Sequence, residues 1–253
     1  MKQECQNAEA REVDGHASAN ESFDEFRHEL KSQLSIIRGR ARLAALLEDP
    51  ERLKASMEAI SATCTRIEQL IYRYLLYSSS TNFAGASKRV VRASDIIRSL
   101  ERIAADFRVL SGLERGLEID VNDRTGPDLR DAELSADEVA LEQAVFNLVD
   151  NAVKYSFRDS KVGIFFELSP EREIVIRVTN TGLAMTTQDI EASQERGWRS
   201  AAAAATVASG QGIGLWIARL AASAHGGQLK ISPTDLEGVT SVALLLPLVD
   251  PQQ

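Results

Sequence analysis

The sequence has few cysteines, no long apolar run and no excess of positive charge, and each deficit excludes a class of protein. Cys5 and Cys64 are its two cysteines, and free thiols without a metal or redox motif are typical of a reducing cytoplasm. No apolar run approaches the roughly 20 residues of a membrane span, and the polar start lacks the apolar core of a signal peptide. A net charge of -8 excludes the cationic footprint of a non-specific nucleic-acid binder. We therefore expect a cytoplasmic protein.

The composition changes along the 253 residues and predicts two folded parts. Residues 1–21 are polar and acidic, and we interpret them as a flexible leader. Residues 22–80 carry helical apolar patterns, and the small, polar residues 81–88 predict a hinge. Residues 89–253 alternate between strand-like and helix-like patterns, which predicts an α/β layer over one core. The expected fold class is therefore α+β.

Two apolar stripes in residues 22–80 advance by steps of three and four residues, which is the spacing of one helix face. The first contains Phe23, Phe26, Leu30, Leu34, Ile37, Ala41 and Ala44; the second contains Leu53, Met57, Ile60, Cys64, Ile67, Ile71 and Tyr74. Pro50 lies in the break between them and predicts a turn. We expect an antiparallel helical hairpin that pairs with a second copy into a dimeric four-helix bundle.

Three segments in residues 89–253 carry residue types suited to binding a nucleotide. In NLVDNAVKYS, the carboxamides of Asn147 and Asn151 share a helix face, and Asn oxygens suit Mg²⁺ while Lys154 suits a phosphate oxygen. GQGIGL places glycines before a helix, where the backbone can approach a phosphate. VTNTGLAM puts Asn180 at a strand end, where an amide can hydrogen-bond a purine edge. Each segment taken alone also fits a polar helix stripe or a connecting turn.

His28, in the stretch FRHELKSQL, lies about 200° around the helix from Phe26 and Leu30. It therefore faces away from the apolar stripe, where a separate domain could reach it. This position fits a phosphoacceptor, and it equally fits a histidine that is only solvated.

Taken in chain order, these segments resemble the motifs of the sensor histidine kinases of two-component signalling. FRHELKSQL resembles their phosphoacceptor H-box, FNLVDNAVKYS their N-box, VTNTGLAM their G1 turn and GQGIGLWIARLAASAHGG their G2 region, while ERGWRS resembles the end of their F-box. The resemblance covers about residues 22–248. It implies an ATP-dependent protein-histidine kinase with a GHKL-type ATP-binding domain, a two-layer α/β sandwich, in residues 89–253.

The resemblance also implies a role for each matching residue. His28 would accept the γ-phosphoryl group of ATP, Glu29 would orient its ring, and Ser32 occupies the position linked to dephosphorylation of the partner. The implied nucleotide-binding residues are Asn147, Asn151, Lys154, Tyr155, Asn180, Gly182, Gly210, Gly212, Gly214 and Leu215, with Asn147 as the Mg²⁺ ligand and residues 200–209 as a lid. The implied partners are a second copy of the chain, a response-regulator receiver domain that takes the phosphoryl group on an aspartate, and an upstream sensor protein.

Several positions depart from the family pattern. Gln33 replaces the usual proline after the histidine, Asn180 the usual adenine-binding aspartate, Ala184 a usual glycine and Gln194 the F-box phenylalanine. The last three favour a rival hypothesis: a degenerate kinase fold that binds a response regulator, or shuttles phosphate, without using ATP. A third reading, an ATPase or serine kinase on the same nucleotide fold, has no use for a His–Glu pair on a hairpin.

Overall fold

The computed structural model describes residues 26–78, 88–124, 126, 131–207 and 212–249 of the chain. The predicted leader, the predicted hinge apart from Lys88, and Gly210 lie outside these ranges. The boundaries assigned to the leader and the hinge therefore stay predictions.

The first two helices form the predicted antiparallel hairpin. Helix α1 covers residues 26–44, and helix α2, Pro50–Ser78, begins directly after a short turn. The Phe26 ring stacks on Tyr74 with their centroids 4.3 Å apart, so the start of α1 lies beside the end of α2. The Ser56 hydroxyl donates a hydrogen bond of 3.3 Å to the Arg40 carbonyl near the turn.

The buried face of α2 is made mainly of small residues, namely Ser56, Ala59, Ala62 and Thr63, together with Leu70. Small side chains let neighbouring helices approach closely. The apolar residues Leu53, Met57, Cys64 and Ile71, here called the outer stripe, are exposed on this single chain. Leu34 of α1 is also 48% exposed. Part of the predicted apolar face is thus left uncovered by the hairpin itself.

The second part of the chain is built on a five-stranded sheet with the order β2-β4-β5-β7-β6. Its elements, with a two-stranded β1-β3 sheet beside it, are β1 Arg89–Arg92, α3 Ala93–Arg115, β2 Glu118–Asp123, β3 Glu133–Ala136, α4 Glu138–Tyr155, β4 Lys161–Leu168, β5 Glu173–Thr181, α5 Thr187–Ser193, α6 Ala201–Thr206, α7 Gly214–Ala224, β6 Gln228–Ser232 and β7 Val239–Pro247. Strands β2 and β4 are parallel, and the other neighbours are antiparallel. Strands β3 and β6 were not among the sequence expectations.

The core lies between one face of the sheet and helices α3, α4 and α7. It combines alternate residues of the strands, such as Ile164, Phe166 and Ile176, with Leu100 of α3 and Leu141 of α4. On the opposite face, Val175, Ala243 and Leu245 form a small separate cluster. A helical hairpin followed by a two-layer α/β sandwich is therefore confirmed. Within the described ranges, no helix is both long and apolar enough to cross a membrane.

Candidate functional site

A cavity opens between the C-terminal half of α4, the ends of β5 and β7, and the segment that carries α5, α6 and the start of α7. The lining residues are Leu148, Asn151, Ala152, Lys154, Tyr155, Val178, Asn180, Leu183, Ala184, Met185, Asp189, Ser193, Trp198, Arg199, Ser200, Ala203, Gly212, Ile213, Gly214, Leu215, Thr240 and Val242. Mostly apolar walls with a few convergent polar groups are typical of small-molecule sites.

Both ends of helix α4, which carries several cavity residues, are fixed by side-chain hydrogen bonds. At its start, the Asp137 carboxylate caps the helix by accepting a hydrogen bond of 3.1 Å from the Ala140 N–H. At its end, the Arg115 guanidinium donates to the carbonyl oxygens of Val153, Lys154 and Ser156, at 2.6, 2.9 and 2.8 Å. These carbonyls have no partner within the helix, and a cation there also complements the helix dipole.

Two glycines let the backbone pass close to this helix end and to the cavity rim. A Cβ on Gly182 would lie 2.0 Å from the Tyr155 carbonyl oxygen. Gly212 has a φ of +64°, and a Cβ there would lie 2.4 Å from the Trp198 carbonyl oxygen. The G1-like and G2-like turns therefore need glycine at these positions for steric reasons.

Two cationic side chains reach the cavity at the side of α4 and α6. The Lys154 ammonium donates a hydrogen bond of 2.6 Å to the Asp150 carboxylate one turn earlier. The Arg199 guanidinium donates to the carbonyl oxygens of Ala203 and Val207, at the end of α6. The two cations, Lys154 and Arg199, can bind phosphate oxygens. The Asn151 amide lines the same cavity.

On the opposite side of the cavity, polar groups lie at the strand ends. Asn180 on β5 is 9% exposed and lies directly across from Thr240 on β7. The hydroxyls of Thr240 and Thr234 lie 2.7 Å apart, and the Met185 N–H donates to Thr234 at 2.7 Å. The amide of Asn180 and the hydroxyl of Thr240 can both hydrogen-bond the edge of a flat heterocycle.

Seven of the ten residues predicted to bind nucleotide line this cavity, namely Asn151, Lys154, Tyr155, Asn180, Gly212, Gly214 and Leu215. Gly182 lies behind it against Tyr155, and Gly210 lies outside the described residues. Asn147, the predicted Mg²⁺ ligand, is 1% exposed and does not line the cavity. It lies one turn before Asn151 on the same helix and is enclosed in the core.

The three predicted catalytic residues lie on α1 and not in the cavity. His28 and Ser32 are exposed, and Glu29 is half-buried. An exposed histidine on the hairpin is accessible to a separate domain, as the position of His28 in the helical pattern indicated.

Four polar residues of the cavity were not predicted from the sequence: Asp189, Ser193, Arg199 and Thr240. Arg199 is the fifth residue of the segment ERGWRS and directly precedes the predicted lid. That position could have predicted its place in the cavity. Thr240 is brought beside Asn180 by the register of β5 and β7, which no local pattern shows. Asp189 is occupied in a capping box with Thr186 at the start of α5.

His225 joins the two helices that flank the cavity. Its Nδ1–H donates to the Ala221 carbonyl at 2.6 Å, and its Nε2 accepts from the Asp137 N–H at 2.9 Å. Burial lowers the pKa of this imidazole below 6.5, because the interior disfavours the charged ring. The neutral ring therefore connects the end of α7 to the start of α4.

Comparisons with known proteins agree with this geometry. Residues 136–250 match the family described as histidine kinase-, DNA gyrase B-, and HSP90-like ATPase. The signal transduction histidine-protein kinase ArlS of Staphylococcus aureus strain USA300 is 27% identical over 235 residues, covering 87% of this chain and 49% of ArlS. The chain thus spans about half the length of the curated relatives it matches.

Two solved structures of the catalytic domain of histidine kinase ThkA share the fold. Nucleotide-free form 2 has a TM-score of 0.51 at 18% identity and covers 64% of this chain and 95% of that one. Nucleotide-free form 4 has a TM-score of 0.50 at 17% identity with the same coverage of the two chains. These likenesses show that the α/β sandwich has the same fold as those two domains.

Proposed function

Because this chain belongs to the sensor histidine kinase family, with a GHKL-type ATP-binding domain in residues 136–250, we propose that it is an ATP-dependent histidine autokinase. His28 receives the γ-phosphoryl group and passes it to an aspartate of a response-regulator receiver domain. The observation that carries the proposal is the cavity that joins Asn151, Lys154 and Arg199 at the end of α4.

The cavity has groups suited to the phosphates and groups suited to the adenine of a nucleoside triphosphate. Lys154 and Arg199 supply positive charge for the phosphates, and the positions of Gly212 and Gly214 keep side chains away from them. Asn180 and Thr240 supply hydrogen bonds for the adenine edge. Phosphoryl transfer asks the protein mainly for positioning and charge neutralisation, and these groups provide both.

Asn151 replaces Asn147 as the proposed Mg²⁺ ligand. Both amides lie on one face of α4, but Asn151 lines the cavity while Asn147 is enclosed in the core. An amide oxygen together with phosphate oxygens and water suits this hard cation, which keeps much of its hydration when bound.

His28 is the proposed phosphoacceptor because it is exposed on a hairpin that is separate from the cavity. One imidazole nitrogen bonds to the γ-phosphorus while the bond to the β,γ-bridging oxygen breaks, and ADP departs. Glu29 is the proposed partner of the other ring nitrogen, and Ser32 the residue that orients water in dephosphorylation. The domain that carries the cavity must move to reach His28, and the predicted hinge at 81–88 is the proposed pivot.

The exposed outer stripe supports a homodimer through the hairpin. Leu34, Met57 and Ile71 are 48%, 56% and 41% exposed on the single chain, and they belong to the apolar pattern of the two antiparallel helices. A second hairpin would cover this pattern in a four-helix bundle. Input from an upstream sensor protein is part of the same proposal.

The test incubates wild type and His28→Ala with Mg²⁺ and γ-labelled ATP. Wild type should gain label that is lost in acid and retained in base, as expected for a phosphoramidate, and the variant should gain none. A folded wild type that gains no label would contradict the proposal, and phosphate transfer from a phosphorylated receiver domain would then favour the non-ATP rival.

A further inference from the structure

A pair of polar side chains lies where strands β5 and β7 reach the cavity. Asn180 on β5 is directly opposite Thr240 on β7, and both line the cavity. Residues paired in this way across antiparallel strands have side chains on the same face of the sheet, with Cβ atoms about 5 Å apart. Val178 and Val242 are paired in the same way two residues along and also line the cavity. An amide and a hydroxyl therefore lie side by side in an apolar part of the wall.

The Asn180 amide can turn either of its ends toward a ligand. Asn180 is 9% exposed, and its amide has no hydrogen-bond partner on the protein among the described residues. The carbonyl oxygen of an amide accepts hydrogen bonds, its NH₂ group donates them, and the two ends have nearly the same size. A half-turn of the side chain therefore exchanges donor and acceptor without changing the shape of the cavity.

The Thr240 hydroxyl can reverse its direction as well. Its oxygen lies 2.7 Å from the Thr234 hydroxyl oxygen, and either group can be the donor. The Thr234 oxygen also accepts a hydrogen bond of 2.7 Å from the Met185 N–H, and it can still donate to Thr240 or accept from it. When Thr234 donates, the Thr240 proton is left for a ligand. When Thr240 donates, its oxygen is left as an acceptor.

The two polar side chains that α5 adds to the cavity wall are engaged at that helix. The Asp189 carboxylate accepts from the N–H and the hydroxyl of Thr186, at 2.9 and 2.7 Å. The Ser193 hydroxyl donates to the Ile190 carbonyl at 2.9 Å. We therefore take the amide and hydroxyl on β5 and β7 as the groups that meet the edge of a base.

Two classes of purine present opposite hydrogen-bonding patterns on the edge formed by position 6 and N1. Adenine has a 6-amino donor beside an N1 acceptor, whereas hypoxanthine and guanine have a 6-oxo acceptor beside an N1–H donor. An ionised carboxylate only accepts, so it would suit the 6-amino group and oppose the 6-oxo group. An amide that can turn, beside a hydroxyl that can reverse, suits both patterns.

We propose that the cavity binds 6-oxopurine nucleoside triphosphates as well as ATP, and that Asn180 is the residue that determines this specificity. The inference rests on the proposed ATP-binding function and widens the class of its nucleotides. Asn180 offers its carbonyl to a 6-amino group and its NH₂ to a 6-oxo group. Thr240 correspondingly donates to the N1 of adenine or accepts from the N1–H of a 6-oxopurine.

The experiment measures the affinity of the full chain for Mg²⁺–ATP and for Mg²⁺–ITP by isothermal titration calorimetry. ITP carries hypoxanthine, which lacks the 2-amino group of guanine, so the comparison with ATP changes only the edge at position 6 and N1. Leaving a buried polar group unpaired costs about tenfold or more in affinity. Because wild type avoids this cost with either base, we expect its two affinities to lie within about fivefold of each other.

Asn180→Asp keeps the shape of the side chain and removes its donor. It should weaken ITP by about 10- to 100-fold, because a carboxylate then faces the 6-oxo group, and ATP by less than about threefold. Asn122→Asp is the matched control, since it adds the same charge at an exposed position of β2. It should leave both affinities unchanged.

Asn180→Leu tests the amide without adding a charge. Both nucleotides should weaken to a similar extent, because each loses a hydrogen bond to the same side chain. A loss confined to one nucleotide would mean that the amide serves only that base, and it would overturn the inference.

Two further results would overturn the inference and leave the proposed function intact. One is a wild type that binds ATP and discriminates against ITP by more than about tenfold. The other is an Asn180→Asp variant with a native thermal transition in which the ratio of the two affinities equals that of wild type. A wild type that binds neither nucleotide would remove the proposed function as well.

Discussion

Substituting Arg115 with methionine should destabilise the ATP-binding fold and weaken its nucleotide site together. The side chain donates three charge-assisted hydrogen bonds, to the carbonyls of Val153, Lys154 and Ser156 at the end of α4. A hydrogen bond to a charged group contributes about 1.5–3 kcal/mol. The three bonds share one half-buried guanidinium, and water can reach some of the freed carbonyls, so we expect a loss of about 3 kcal/mol in total.

The assay is guanidinium-induced unfolding followed by tryptophan fluorescence. Trp198 and Trp216 are the two tryptophans of the chain, and both belong to the α/β part, so the signal reports this fold. Arg108→Met is the matched control, because Arg108 lies on the same helix and donates one hydrogen bond of 3.0 Å, to the Ile119 carbonyl. It should cost about 1 kcal/mol. If Arg115→Met is no more destabilising than Arg108→Met, the three hydrogen bonds from Arg115 do not stabilise the end of α4.

Three further predictions follow from individual side chains. Asn151→Ala should weaken Mg²⁺–ATP binding at least about tenfold in calorimetry, and Asn147→Ala should weaken it much less; the reverse order would return the metal to Asn147. The pKa of His225 is lowered by burial, so the unfolded chain binds the proton first as pH falls through 6.5. Thermal stability should therefore drop below pH 6.5. A drop of the same size in His225→Gln would exclude this histidine as the cause. Met57→Glu, in the outer stripe, should convert a dimer to a monomer in light scattering, whereas an unchanged mass would place the dimer elsewhere.

Local patterns predicted those parts of the fold that depend on neighbours in sequence. Steps of three and four residues predicted α1 and α2, and the alternation of strand-like and helix-like patterns predicted the α/β layer that follows them. The short strands β3 and β6, of four and five residues, were not predicted because at least half of the residues in each are exposed. Short segments take their structure from the partner strand, and the partner is distant in sequence.

In the site, too, residues within one segment could be predicted from the sequence, whereas contacts between distant segments could not. Asn151 and Lys154 follow from helix spacing in a single segment, and both reach the cavity. The burial of Asn147 on the same helix face could not be predicted, because spacing shows which residues share a face but not how far along the helix the core extends. Contacts made across the fold, such as Arg115 on the end of α4 and Arg66 on Asp150, join residues far apart in sequence.

The most direct test of the central claim identifies the residue that carries the phosphate. The chain has three histidines, His16, His28 and His225, so peptide mass spectrometry at neutral pH after incubation with Mg²⁺–ATP can separate them. We expect phosphorylation of His28 that disappears in Asn151→Ala, since that variant lacks the proposed metal ligand. Phosphate on another residue, or phosphate on His28 that persists without Asn151, would contradict it.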